Sequence, residues 1–152
     1  MTGLGFLVPC LAAFIAGVGF CIYYNIHGKN IIISSLCGAF AYAVYLLVGN
    51  FAETFFVPYF VAGIFIGIFS EAAAYIFRTP VTVYLMPGIV PLVPGLTIYK
   101  TMEACFAGDL SGFGTGLVDT LKIAGAISLG MILASYFFRT LRNLVKHIRK
   151  EA

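Results

Sequence analysis

Five apolar runs, residues 4–24, 31–48, 55–77, 81–106 and 117–138, take up most of this chain of 152 residues. Each is close to the length of about 20 residues that a helix needs to cross a hydrocarbon core about 30 Å thick. The connectors NIHGKN, GNFAET, RTP and AGDLSGFGTG are short, so neighbours in sequence run antiparallel in one bundle. Composition points the same way. The chain is 61% hydrophobic and 10% charged, whereas a soluble domain is about 25% charged. Mean hydropathy is +1.02. Such a chain cannot cover its core with polar side chains, which excludes an ordinary soluble enzyme, a nucleic-acid binder and a disordered protein. The expected fold is an all-α integral membrane domain of five transmembrane helices over residues 1–138, with a basic, amphipathic tail over 139–152.

Charge placement orients the spans. Lys29 and Arg78 mark the first and third connectors, while the second and fourth carry Glu53 and Asp109 and no cation. The tail holds Arg139, Arg142, Lys146, Arg149 and Lys150 against Glu151. Positive and non-positive loops alternate, which places the N-terminus outside and the C-terminus in the cytoplasm. A re-entrant hairpin at Pro94–Gly95 is the alternative. It would put the basic tail outside, against that bias. The N-terminus has no basic stretch of the signal-peptide kind, so the first run is expected to stay in the mature protein. Leu141, Leu144, Val145 and Ile148 lie on one helical face, so the tail either continues the fifth helix or lies on the anionic leaflet.

The fourth run, PVTVYLMPGIVPLVPGLTIYKTMEACF, is the one that breaks the pattern. Proline removes an amide hydrogen and clashes with the preceding turn. Three prolines within PGIVPLVPG therefore argue against a continuous helix. Broken backbone at membrane depth is tolerated only inside protein or beside a water-filled cavity. A second half-helix starting at Gly95 would present its positive end near midplane, suited to the carboxylate of an anionic or zwitterionic molecule. A plain proline kink is the competing reading.

Three groups of charged residues lie within the runs. Lys100 and Glu103 are three apart and can pair, with Tyr99 beside them; they face protein, or snorkel to the outer interface. Glu71 is a candidate proton carrier, or an interfacial carboxylate paired with Arg78 or a tail lysine. Asp119 and Lys122 open the fifth run, with Asp119 the candidate for transport and Lys122 able to snorkel. Gly63 and Gly67, four apart, and Ala39 with Ala43 allow close helix approach. Cys10, Cys21, Cys37 and Cys105 read as small hydrophobes, and His27 and His147 find no co-ligand, so no metal or cofactor is expected. The stretch GDLSGFGTG lacks the GK[ST] ending of a phosphate loop, and no HExxH or GxSxG points to an enzyme. An odd number of spans suggests half of an inverted-repeat assembly.

The run from Glu71 to Asp109 resembles the C-terminal membrane domain of the threonine/serine exporter family. The shared core is Pro-x-x-Pro-Gly-x-x-x-Tyr, here Pro91, Pro94, Gly95 and Tyr99, with Pro80 and Glu71 upstream. Layout and length are similar to the small subunit of the split form, in which a larger membrane protein supplies the other domain. The resemblance implies proton-coupled export of threonine and serine across the cytoplasmic membrane, without ATP. Some split-form relatives are implicated in dicarboxylate export, which is the alternative substrate class. On this reading the substrate site draws on Pro91, Pro94, Gly95, Tyr99 and Lys100. Proton coupling falls to Glu71, Glu103 or Asp119, and the partners are the bilayer, the amino acid and the larger subunit or a second copy. A non-transporting scaffold that docks through its small-residue faces is the reading from a different class.

Overall fold

The computed structural model describes residues 3–151, with side chains for 5–142. Helices α1 (Gly3–Tyr23), α2 (Lys29–Gly49) and α3 (Phe56–Phe77) come first. Helix α4 (Thr82–Ile89) runs into a 3-10 turn (Val90–Leu92), and α5 (Gly95–Phe106) and α6 (Leu110–Glu151) complete the chain. Among the described residues, four helices are long and apolar enough to cross a membrane, and the count is five if α4 and α5 together make one span. Between Thr82–Leu92 and Gly95–Phe106 the axis bends by 54°.

The last helix departs from the sequence expectation at its start. GDLSGFGTG reads as a connector, yet α6 begins at Leu110 and absorbs most of it. The local cause is capping. Gly108, at φ 77°, turns the chain in the left-handed region that glycine tolerates. Asp109 Oδ1 then accepts the Gly112 amide at 2.9 Å, which satisfies one of the unpaired donors of the first turn. At its other end α6 continues without a break to Glu151. The expected apolar face of Leu144, Val145 and Ile148, and the tail cations Lys146, Arg149 and Lys150, lie outside the described side chains.

Small residues set the packing, as they must where lipid is as apolar as a side chain and association rests on close contact. The buried cluster is Cys37, Ala41, Ala62, Ile66, Leu92, Ile123 and Ile127. Helix α3 lies against α6 where Gly63 and Gly67 remove side chains. A methyl on Gly63 would sit 2.6 Å from the Ile127 carbonyl oxygen, and one on Gly67 the same distance from Ala134 Cβ. Gly130 faces the α3 backbone at Phe60 and Ile64. Helix α4 docks on α2 in a similar way. The Pro91 ring and the Pro87 carbonyl lie against Gly38, and Gly88 lies against Cys37 Sγ. Helix α5 is the exception. Its packing is against α6, and Leu96, Met102 and Phe106 are exposed.

Candidate functional site

The prolines of α4 create a hydrogen-bonding gap that the neighbouring helix fills. Pro87 has no amide to give to the carbonyl four residues back, at Val83. Ser34 Oγ of α2 donates to that carbonyl at 2.9 Å instead. Tyr84, fully buried, donates its hydroxyl to Asn30 Oδ1 at 2.8 Å and accepts from Thr79 Oγ1 at 2.9 Å. The first half of the broken segment is thus held by polar contacts from its own chain, as buried polar groups require.

The second half starts differently. Past Leu92, Val93 is extended (φ −60°, ψ 130°) and Pro94 holds the cap position of α5. The Gly95 amide donates to the Val93 carbonyl at 2.7 Å, and the next backward bond runs from the Ile98 amide to the Pro94 carbonyl at 2.9 Å. Leu96 and Thr97 therefore hold the first-turn amides that no helical carbonyl reaches. The amides at the positive end of α5 belong to these two residues rather than to Gly95.

Two cavities flank this break. One of about 530 Å³ is apolar and lies toward α1, lined by Phe20, Tyr24, Met86, Ile89, Val93 and Gly95. The other, about 320 Å³, lies between α5 and α6, and its lining includes Leu96, Thr97, Lys100, Thr115 and Asp119. Thr101 and Gly116 meet on its wall, where any side chain on Gly116 would strike Thr101 Oγ1. Asp119 also borders a third cavity of about 380 Å³, with Lys122, Thr54 and Phe55, and Lys122 Nζ lies 3.2 Å from Asp119 Oδ1.

The residues singled out in the sequence fall into three places. Lys100 and Asp119 line the α5–α6 cavity. Tyr99 and Glu103 are exposed on α5, and among the described residues no ion pair joins Glu103 to Lys100. Pro91 is packed on α2, and Pro94 is half-buried at the break. Glu71 is elsewhere, 2% exposed at the α3–α6 contact. Among the described residues its partner is not Arg78: Arg139 Nε donates to Glu71 Oε1 at 2.9 Å; the tail lysines lie outside the described side chains. Arg139 itself is largely exposed and lines a cavity of about 540 Å³ with Leu85, Ser135 and Tyr136.

Four contributors, Ser34, Gly112, Gly116 and Thr115, escape a reading of the sequence by runs. Ser34 was findable, because a proline at 87 leaves a carbonyl in need of a donor. The spacing of Gly112 and Gly116 repeats that of Gly63 and Gly67 and was also findable. Thr115 carries no such signal. Among the described residues, no three His, Cys, Asp or Glu side chains gather where they could hold a metal ion.

No curated protein and no solved structure matches the chain. A family model does, that of the threonine/serine exporter ThrE, over residues 9–137. Together with its several apolar membrane-crossing helices, this match over most of its length means that the chain is a multi-pass membrane protein belonging to the threonine/serine exporter family.

Proposed function

We propose that this chain is one membrane subunit of a proton-coupled secondary exporter of threonine and serine, completed by a larger membrane protein. The observation that carries the reading is the state of α5. This helix is half of a bent apolar segment, packs against α6, and leaves Lys100 and Glu103 exposed. A charge at the centre of a membrane helix costs about 2.5–3.5 kcal/mol on insertion scales. Two of them on one short helix are tolerated where protein or water covers them, not lipid. A second membrane protein seated on α5 supplies that cover.

The bend itself suits a span. Each half is about 18 Å long, and with the axis turned by 54° the pair reaches about 32 Å, near the hydrocarbon thickness. A hairpin returning to its own side would have to turn through more than a right angle. Five spans then follow, with the N-terminus outside and the basic tail of 139–152 in the cytoplasm, in the cytoplasmic membrane. Glu71, buried and held by one arginine, is the leading proton carrier, with Glu103 and Asp119 behind it.

The test is efflux of preloaded threonine and serine from proteoliposomes under an imposed proton gradient. One set holds this chain alone and another holds it with the larger subunit. Efflux that needs both chains and stops when the gradient is collapsed is the expected result. Efflux by this chain alone replaces the larger subunit with a second copy. Efflux of dicarboxylates but not of threonine or serine overturns the substrate class, and no efflux of any of these from folded protein favours a scaffold.

A further inference from the structure

Resting on the exporter reading, we propose that the cavity between α5 and α6 is the substrate seat, and that it clamps a zwitterion by its two ends. Lys100 and the Leu96 and Thr97 amides take the carboxylate, Asp119 takes the ammonium group, and Thr115 takes the side-chain hydroxyl. The volume of about 320 Å³ lies at the small end of the range of about 300–1,000 Å³ usual for ligand pockets. The lining carries a cation on α5 and a carboxylate on α6, so neither a simple anion nor a simple cation matches both. The amides at the start of α5 add positive potential on the Lys100 side.

Thr115 adds selectivity. Its hydroxyl donates to the Ser111 and Gly112 carbonyls, each at 3.1 Å. With its proton committed, the oxygen has only lone pairs to offer, so it selects a ligand that brings a hydroxyl donor. Asp119 is held meanwhile by Lys122 at 3.2 Å, in a pair whose side chains are 50% and 59% exposed. Exposed pairs of this kind are weak, so an ammonium group can replace Lys122 at little cost. A dicarboxylate would bring its second negative end to Asp119 and is disfavoured. Asp119 thus acts as a binding carboxylate, and proton transfer is left to Glu71 or Glu103.

The experiment uses cells lacking this chain's gene, complemented with the wild type or a variant, so that every native partner is present. Threonine efflux is read in cells, and uptake of labelled threonine in inside-out vesicles made from them. Lys100→Met and Asp119→Asn each lower threonine transport about tenfold or more at equal membrane abundance, the loss of one charged hydrogen bond. Lys100→Arg keeps most of it. Thr115→Val lowers threonine relative to alanine by about fivefold. Competition separates binding from a structural role. Threonine amide competes poorly in the wild type and as well as threonine in Lys100→Met, while N-acetylthreonine gains in the same way only in Asp119→Asn. Wild-type export with both variants unaffected, or with both impaired and analogue preference unchanged, overturns the seat and leaves the exporter reading standing. No threonine or serine export by the wild type overturns both.

Discussion

The α3–α6 contact and the α5–α6 contact use the same small residues to different ends. In the first, Gly63, Gly67 and Gly130 bring two backbones together so closely that an added methyl would meet a carbonyl or another methyl. In the second, Gly116 and Thr101 touch in the same way, but the surrounding positions are polar and leave a cavity. The prolines repeat the contrast. Pro87 and Pro91 are packed on α2, and the carbonyl that Pro87 orphans is repaired by Ser34. Pro94 is followed by Gly95, beside which a methyl group would meet nothing within 4 Å. The carboxylates repeat it once more, Glu71 buried against Arg139 and Glu103 exposed. One side of the molecule is sealed by its own chain, and the other leaves Leu96, Tyr99 and Glu103 exposed.

Substitutions can break that contrast, and the largest effect is expected on the sealed side. Gly67→Leu would force α3 off α6, and overpacking at a site where the backbone cannot move costs about 3 kcal/mol or more. Thermal unfolding in detergent should show a large fall in Tm or no folded protein. A Tm near that of the wild type would mean that α3 and α6 are not in close backbone contact at Gly67.

The buried ion pair offers a sharper comparison, because its two members differ in burial. Arg139→Met strands a carboxylate that is 2% exposed, at a cost of about 2 kcal/mol. Glu71→Gln leaves only an arginine already open to its surroundings, and should cost less than about 1 kcal/mol. Equal losses in chemical denaturation would show that Glu71 is less isolated than the structure makes it.

Repair of the proline gap can be isolated by a double-mutant cycle. Ser34→Ala alone should cost about 1–2 kcal/mol, by leaving the Val83 carbonyl without a donor. In a Pro87→Ala background the restored amide at 87 takes over, and the cost should fall by about 1 kcal/mol. Additive losses would deny the link between the two positions.

The smallest effect on stability belongs to the open side. Gly95→Leu projects into free space and should shift Tm by no more than a surface change does, within about 0.5 kcal/mol. If the apolar cavity beside it is part of the transport path, the same variant loses threonine efflux. Full efflux from this stable variant would remove the break from the path.

The apolar runs were legible because hydropathy records what lipid demands. The expected 31–48 and 55–77 differ from Lys29–Gly49 and Phe56–Phe77 by no more than two residues at any end. The interruption at PGIVPLVPG was legible too, because proline chemistry is local. The start of α6 was not. Residues 110–116 are rich in glycine and hydroxyl side chains, and they form helix because Asp109 caps them and α5 lies alongside. Arg139 was likewise read as the first cation of a tail. Its pairing with Glu71 joins residues 68 apart in sequence. No local pattern announces such a contact.

By itself, then, the sequence determined the solvent, the number of apolar segments and the place where one of them breaks. Each of these depends on side-chain polarity and backbone chemistry within a few residues. Only the tertiary structure decided which carboxylate is buried, which serine repairs which proline, and that Lys100 and Asp119 border one cavity. These depend on the rotation of each helix about its axis and on which neighbour it meets. A helix must bury some face, and packing across the whole bundle selects which one.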